Sequence, residues 1–250
     1  MSARPYYEQS GVTIYHGDCR DVLPLIGGAS CIVTDPPYGQ TSLEWDRWVD
    51  GWLDAVKLKA NSLWCFGTLR MFMLHAQEFE RADWTLAQDL IWEKHNGSSF
   101  HADRFKRVHE QPAQFYRGAW ATVYKTPVFT NDATAKAVRR KTRPPHLGHI
   151  DASSYQSVDG GPRMARSVIR VKSCHGYAEN ETQKPIGILE PLLRYSVQPD
   201  GFVLDPFAGS GSTAIAAKGL GLRAVLIEAR EEQCEIAARR LQQEALPLND

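Results

Sequence analysis

Phe202-Val203-Leu204-Asp205 is a short apolar run that ends in a carboxylate, and Pro206-Phe207-Ala208-Gly209-Ser210-Gly211-Ser212-Thr213 follows it directly. Ala214-Ile215-Ala216-Ala217-Lys218 then reads as a helix. Strand, glycine loop, helix is the order of an α/β unit with a largely parallel sheet, and it constrains this chain more than any other stretch. The glycines permit a tight turn and let a ligand approach the backbone, while Ser212 or Thr213 is placed to cap the helix. The next strand, Arg223-Ala224-Val225-Leu226-Ile227, ends at Glu228, nineteen positions past Gly209 and near the spacing at which an acid grips ribose hydroxyls. That pairing points to a ribose without naming the nucleoside, and a nicotinamide dinucleotide fits it as well.

A second strand runs into a carboxylate at Cys31-Ile32-Val33-Thr34-Asp35, followed by Pro36-Pro37-Tyr38-Gly39. In open α/β sheets ligands bind at the carboxyl ends of strands, which is where Asp35 falls. Pro36 keeps Asp35 out of the helical region and Pro37 does the same to Pro36, so the backbone is held extended with its carbonyls free. One carboxylate beside one fixed carbonyl can accept both hydrogens of an exocyclic amino group, and Tyr38 offers a face to a flat ring. An isolated Asp-Pro is most often a turn that ends a strand; the aromatic ring and the second strand-end acid favour a nucleobase amine.

With 250 residues, 43% of them hydrophobic and 23% charged, the chain can bury the core of one substantial α/β domain with an insertion. Met1-Ser2-Ala3-Arg4-Pro5-Tyr6 has no apolar signal core and no run is long enough to span a bilayer, so a cytoplasmic protein without membrane contact is expected. The five cysteines (19, 31, 65, 174 and 234) show no Cys-x-x-Cys spacing and are expected to be small buried side chains, with no zinc site and no disulfide framework. Overall charge is balanced, 29 basic against 29 acidic residues, but its distribution is not. Residues 119–178 carry ten basic and three acidic side chains, a local excess of seven that points to a polyanionic partner.

Along the rest of the chain, residues 12–15 read as a strand, and His16-Gly17-Asp18-Cys19 leads into a helical stretch ending near Gly27-Gly28. Asp18 either caps that helix or contacts a ligand's ring amine. Trp45, Trp48 and Trp52 recur at near-helical spacing and are expected to line core or crevice. Residues 62–67 read as a buried strand, 72–79 as a helix and 86–92 as one strand, with a polar loop over 95–99 and an apolar stretch at 110–116. From Gly118 to Gly161-Pro162 neither helix nor strand periodicity is evident, and Lys136, Arg139, Arg140, Lys141 and Arg143 form the densest basic cluster. So long a connection in a compact domain favours a functional insertion.

Asp35-Pro36-Pro37-Tyr38 resembles the catalytic motif of the amino-group DNA methyltransferases, which methylate adenine N6 or cytosine N4, and the loop 205–213 is similar to their S-adenosylmethionine loop. Gln183-Lys184-Pro185 looks like the element that leads a helix beside the donor's methionine, and Trp92-Glu93-Lys94 through His109-Glu110 looks like the loop flanking the target base. Catalytic motif, basic region, donor loop is the order of the beta group, and the likeness spans roughly 12–241. Asn180-Glu181 stands before Thr182 where many members carry His-Pro, which puts in question how the donor's carboxylate is held.

The resemblance implies a doubly wound, Rossmann-like α/β domain made of 1–118 (the catalytic half) and 179–250 (the donor-binding half), with 119–178 as a target-recognition insertion. It implies catalysis by Asp35, Pro36, Pro37 and Tyr38 and donor contacts from Asp18, Cys19, Lys184, Asp205, Pro206, Phe207, Gly209, Gly211, Ser212, Thr213 and Glu228, without a metal. It also implies double-stranded DNA as partner, of the restriction-modification kind, with adenine N6 favoured over cytosine N4 because Asp heads the motif. A homodimer is compatible with the sequence.

Overall fold

The computed structural model describes residues 4–98, 102–140, 153–174, 176, 178, 179 and 183–243. A short antiparallel pair, β1 (Tyr7–Gln9) and β2 (Val12–His16), opens the chain, and α1 (Cys19–Val22) follows with Asp18 accepting from Arg20 N at its cap. Next come β3 (Cys31–Thr34), α2 (Trp52–Val56), β4 (Ser62–Gly67) and α3 (Leu69–Arg81). Every residue of β3 and β4 is buried, as expected of parallel strands covered on both faces. After β5 (Thr85–Asp89), β6 (Ile91–Ser98) and β7 (Arg107–Tyr116), the strands β8 (Phe129–Thr130), β9 (Lys136–Arg140), β10 (Ser153–Ser157) and β11 (Arg163–Met164) form two separate ribbons. Then β12 (Val168–Arg170), α4 (Ile186–Ser196), β13 (Phe202–Asp205), α5 (Ser212–Gly219), β14 (Arg223–Glu228) and α6 (Glu231–Gln243) are the remaining elements of the described residues.

Among the described residues the main sheet has ten strands, with the path β1-β2-β14-β13-β3-β4-β7-β6-β12 and β5 beside β7. From β2 to β4 all neighbours are parallel, and β7 turns the sheet antiparallel. Alternation divides the core between two faces. Cys31, Val33, Trp64 and Phe66 pack with α4, α5 and α6, and Ile32, Leu63 and Cys65 pack with α1, α2 and α3. Helices on both faces make the domain doubly wound, as expected. In α4, Ile188, Leu189, Leu192 and Leu193 are each at most 2% exposed, and burial of each contributes about 1.5–3 kcal/mol.

Several local expectations are revised. The strand expected over 86–92 is two strands, because the ten-residue β7 takes β5 along 113–116 and β6 along 107–110, with Leu90 N bonded to Pro112 O between them. The polar loop expected from His95 is instead the continuation of β6 to Ser98, and Ser99 lies outside the described residues. Trp45 and Trp48 are not helical, since α2 begins only after Gly51, yet Trp52 is fully buried and Trp48 stacks on His75 at 3.7 Å. Thr68 caps α3 by accepting from Met71 N, which starts that helix three residues earlier than its periodicity suggests.

Two compact units emerge: residues up to Thr126 with those from Ser167 onward, and Pro127–Arg166. The smaller unit is narrower than 119–178 because β12 pairs in parallel with β6 and belongs to the main sheet. It is built from β9 with β10 and β8 with β11, tied by Arg163 Nε donating to Asp132 Oδ1 at 2.7 Å. Among the described helices none is long and apolar enough to cross a membrane. All five cysteines are free and buried.

Candidate active site

Because β2, β14, β13 and β3 are parallel, their terminal acids gather at one edge: Asp18 just past β2, Glu228 ending β14, Asp205 ending β13, and Asp35 just past β3. Between β13 and β3 the chain order reverses, since β13 leads to β14 on one side and β3 to β4 on the other. That is the topological switch point where open α/β sheets bind ligands. A cavity of about 1560 Å³ opens there. It is lined by Asp35, Pro36, Pro37 and Tyr38 together with Asp18, Cys19, Lys184, Asp205, Pro206, Phe207, Gly209, Ser212, Thr213 and Glu228. Fourteen of the fifteen residues expected on the catalytic and donor sides thus meet in one space, Gly211 being the exception.

Asp35 is held from two sides. Tyr38 donates its hydroxyl to Oδ1 and Lys184 its ammonium to Oδ2. Lys184 also lies 3.4 Å from Glu110 Oε2, and Lys94 donates to Glu110 Oε1. The side chains of Lys184, Glu110 and Asp35 are 10%, 13% and 22% exposed, so water screens these charges little. Burial pushes the Asp35 carboxyl above its usual range, with Lys184 opposing and the Glu110 charge adding to the rise. Burial acts the same way on Glu110, but Lys184 and Lys94 outweigh it and hold that carboxyl low. Burial and the neighbouring Asp35 charge push the Tyr38 phenol well up, so it remains a donor at neutral pH.

The loop after β13 is built on Asp205. Its Oδ1 accepts from Thr34 Oγ1 at 2.7 Å and from Phe207 N at 3.1 Å, and its Oδ2 accepts from Thr213 Oγ1 at 2.6 Å. Burial lifts its carboxyl to about 6 against those three donors. Thr213 therefore braces Asp205 and does not cap α5, whose cap is Gly211 with φ +79°. The same glycine also has a packing duty: a Cβ there would lie 2.8 Å from Ala237 Cβ on α6. Gly209, at φ +50°, is the loop glycine on the cavity wall.

Glu228 accepts from Gly209 N at 2.8 Å and from Arg230 N at 3.0 Å, so the acid at the ribose spacing also fixes the loop. Asp18 accepts from Arg20 N at 2.8 Å as a helix cap while still lining the cavity, so its two alternatives are compatible. Burial pushes the neighbouring Cys19 thiol up to about 12, which leaves it unreactive. Among the described residues no group of His, Cys, Asp or Glu is arranged to hold a metal ion.

The expected DNA contacts belong to the smaller unit. Lys136 and Arg139 are exposed on β9, three positions apart and hence on opposite faces of the ribbon. Lys141, Arg143 and the side chain of Arg140 lie outside the described residues, as do Asn180, Glu181 and Thr182. The stretch from Trp92 to Glu110, expected to flank the target base, brings Lys94, Glu110, Arg104, Phe105 and Arg107 to the cavity wall, although the sequence had assigned none of them a catalytic or donor-binding role. No local signal marks Lys94 and Glu110 as buried, because β6 and β7 mix polar and apolar residues throughout and the two side chains are covered only through their pairing with each other and with Lys184.

The sequence pattern of the N6/N4 DNA methylases matches residues 29–239. The type II methyltransferase M.HinfI of Haemophilus influenzae is 27% identical over 92% of this chain and 68% of its own length. M2.LlaDCHI of Lactococcus lactis subsp. cremoris, also a type II methyltransferase, is 24% identical over 96% and 93%. Among solved structures, the M1.HpyAVI complex with SAM superposes with a TM-score of 0.62 at 21% identity, covering 92% of this chain and 99% of that one. The cytosine-N4-specific PvuII DNA methyltransferase gives 0.67 at 16% identity, covering 99% and 90%. These two likenesses establish the fold, and the match over 29–239 establishes the kinship: this chain belongs to the N6/N4 DNA methylase family and is a DNA methyltransferase.

Proposed function

We propose that the protein transfers a methyl group from S-adenosylmethionine to the N6 amino group of adenine in double-stranded DNA, acting on a base turned out of the helix. One observation carries the reading: Asp35-Pro36-Pro37-Tyr38 and the Gly209–Glu228 pair line the same cavity of about 1560 Å³. That exceeds the ~300–1,000 Å³ of a typical small-molecule pocket, which leaves room for a donor and a flipped nucleotide together.

The donor fits the residues present. Glu228 and the loop around Gly209 would hold its ribose, Asp18 its ring amine, and Phe207 offers an apolar face nearby. When bound, its sulfonium supplies an electrophilic methyl group, so the protein's task is orientation. Asp35 keeps an unused lone pair on each oxygen beside Tyr38 and Lys184, and with the Pro36 carbonyl it accepts the two hydrogens of the amine. This draws the nitrogen lone pair out of conjugation and aims it at the methyl. Flipping costs a few kcal/mol, which stacking on Tyr38, worth about 1–3 kcal/mol, largely offsets. Residues within 119–178, Lys136 and Arg139 among them, supply phosphate contacts and sequence choice.

The reading favours adenine because a carboxylate at the head of the motif is a stronger acceptor than the serine more common in the cytosine enzymes. Duplex DNA incubated with the protein and S-adenosylmethionine, then digested to nucleosides for mass spectrometry, is expected to yield N6-methyladenine. N4-methylcytosine alone would replace adenine by cytosine, and no methylated base would overturn the reading.

A further inference from the structure

Four charges of alternating sign meet across four separate elements: Lys94 on β6, Glu110 on β7, Lys184 ahead of α4 and Asp35 after β3. Their sum is zero, which is how a buried row of charges becomes tolerable. Accepting an amine hydrogen requires only Asp35, so the other three need an account. An ammonium contacting Asp35 alone would hold the carboxylate ionised but also take up its charge. Here Lys184 is shared with a second carboxylate at 3.4 Å, and that carboxylate is anchored by a second lysine, itself 4.5 Å over the Trp92 ring.

We propose that Lys184 and Glu110 are a matched pair of positioning residues that set the charge state of Asp35 in opposite directions. Lys184 keeps the carboxylate ionised and turned toward the amine, and Glu110 limits how strongly Lys184 draws on it. The inference rests on the methyl-transfer reading. It is consistent with the influences on Asp35, where Lys184 and Tyr38 favour the charged form and Glu110 and burial oppose it. Asp35 also faces Cys65 on β4 and Asp205 on β13. Neither contacts Lys184 in the row described, so substitutions of Lys184 and Glu110 leave those influences in place.

The test combines the pH profile of kcat/KM with carboxyl-carbon NMR titration of Asp35 in protein carrying labelled aspartate, for the wild type, Lys184→Met, Lys184→Arg and Glu110→Gln. Lys184→Met is expected to move the Asp35 titration and the acid limb of the profile to higher pH by about one unit or more, the usual effect of removing an opposite charge. Its loss of turnover at neutral pH is then recovered in alkali. Glu110→Gln is expected to move both to lower pH, and Lys184→Arg to stay near the wild type. Shifts in the same direction for the first and third variants, or no shift in either, would overturn the proposal. If the wild type transfers no methyl group to DNA, the methyl-transfer reading fails on its own, and the NMR titrations still decide whether the pair acts on Asp35 in opposite senses.

Discussion

Asp35 and Arg139 show two opposed uses of charge in one chain. Asp35 directly follows a fully buried strand and is fixed by Tyr38 and Lys184, the latter 149 positions away in sequence. Arg139 is exposed on a two-stranded ribbon in a unit where, among the described residues, Ala133 is the one buried apolar side chain. A site that orients an amine needs groups held by packing from several elements. A surface that meets phosphates needs charge, which a ribbon without much core can present.

The sharpest way to break this contrast is to remove the fixed charge. Asp35→Ala is expected to lower kcat by about 10²–10⁴ while S-adenosylmethionine binding, followed by calorimetry, changes little. Retained turnover would mean that the carboxylate is as dispensable as a surface charge.

Asp205 sharpens the point within the buried region. Its folded carboxyl lies near 6 against 3.8 for a free one, so between those values the folded protein keeps a proton that the unfolded chain has lost. Stability therefore falls as pH rises through that window, by about 3 kcal/mol at about 1.4 kcal/mol per unit. Asp205→Asn keeps an oxygen for Thr34 and Phe207 and should flatten this dependence in denaturant titrations at pH 4 and pH 7. An unchanged slope would place its origin elsewhere.

The strand-end acids were legible because an apolar run that stops at a carboxylate is a local pattern, as at Asp35, Asp205 and Glu228. What was not legible depends on distant partners. Lys94 and Glu110 meet only because β6 and β7 pair, and the separation of β5 from β6 is imposed by the length of β7. Gly211 reads locally as a ligand-approach glycine, but its constraint comes from Ala237 on α6. In the basic segment no periodicity announced β9 and β10, whose described side chains are exposed or at most half-buried and so carry no clear burial pattern.

Gly211→Ala tests the packing claim. Left-handed backbone and a 2.8 Å approach to Ala237 together should cost about 1–3 kcal/mol of stability, read from the denaturation midpoint. The larger Gly211→Val should therefore compromise the fold, and not only donor binding. Full stability with weakened donor binding would restore the simpler ligand-contact view.

The smallest effects belong to the ribbon. If one face of β9 meets DNA, only one of Lys136→Ala and Arg139→Ala should reduce the slope of log K against log salt, by about 0.9. Equal reductions from both would mean that the two faces are engaged together, and no reduction from either would move the DNA contact out of this ribbon.

A crystal structure of the protein with duplex DNA and a non-reactive donor analogue tests the central claim most directly. The account predicts an adenine out of the helix with its amine on Asp35 and the Pro36 carbonyl, and the analogue's ribose at Glu228 in the same cavity. A target base left stacked in the duplex, or a donor bound away from Glu228 and Gly209, would contradict it.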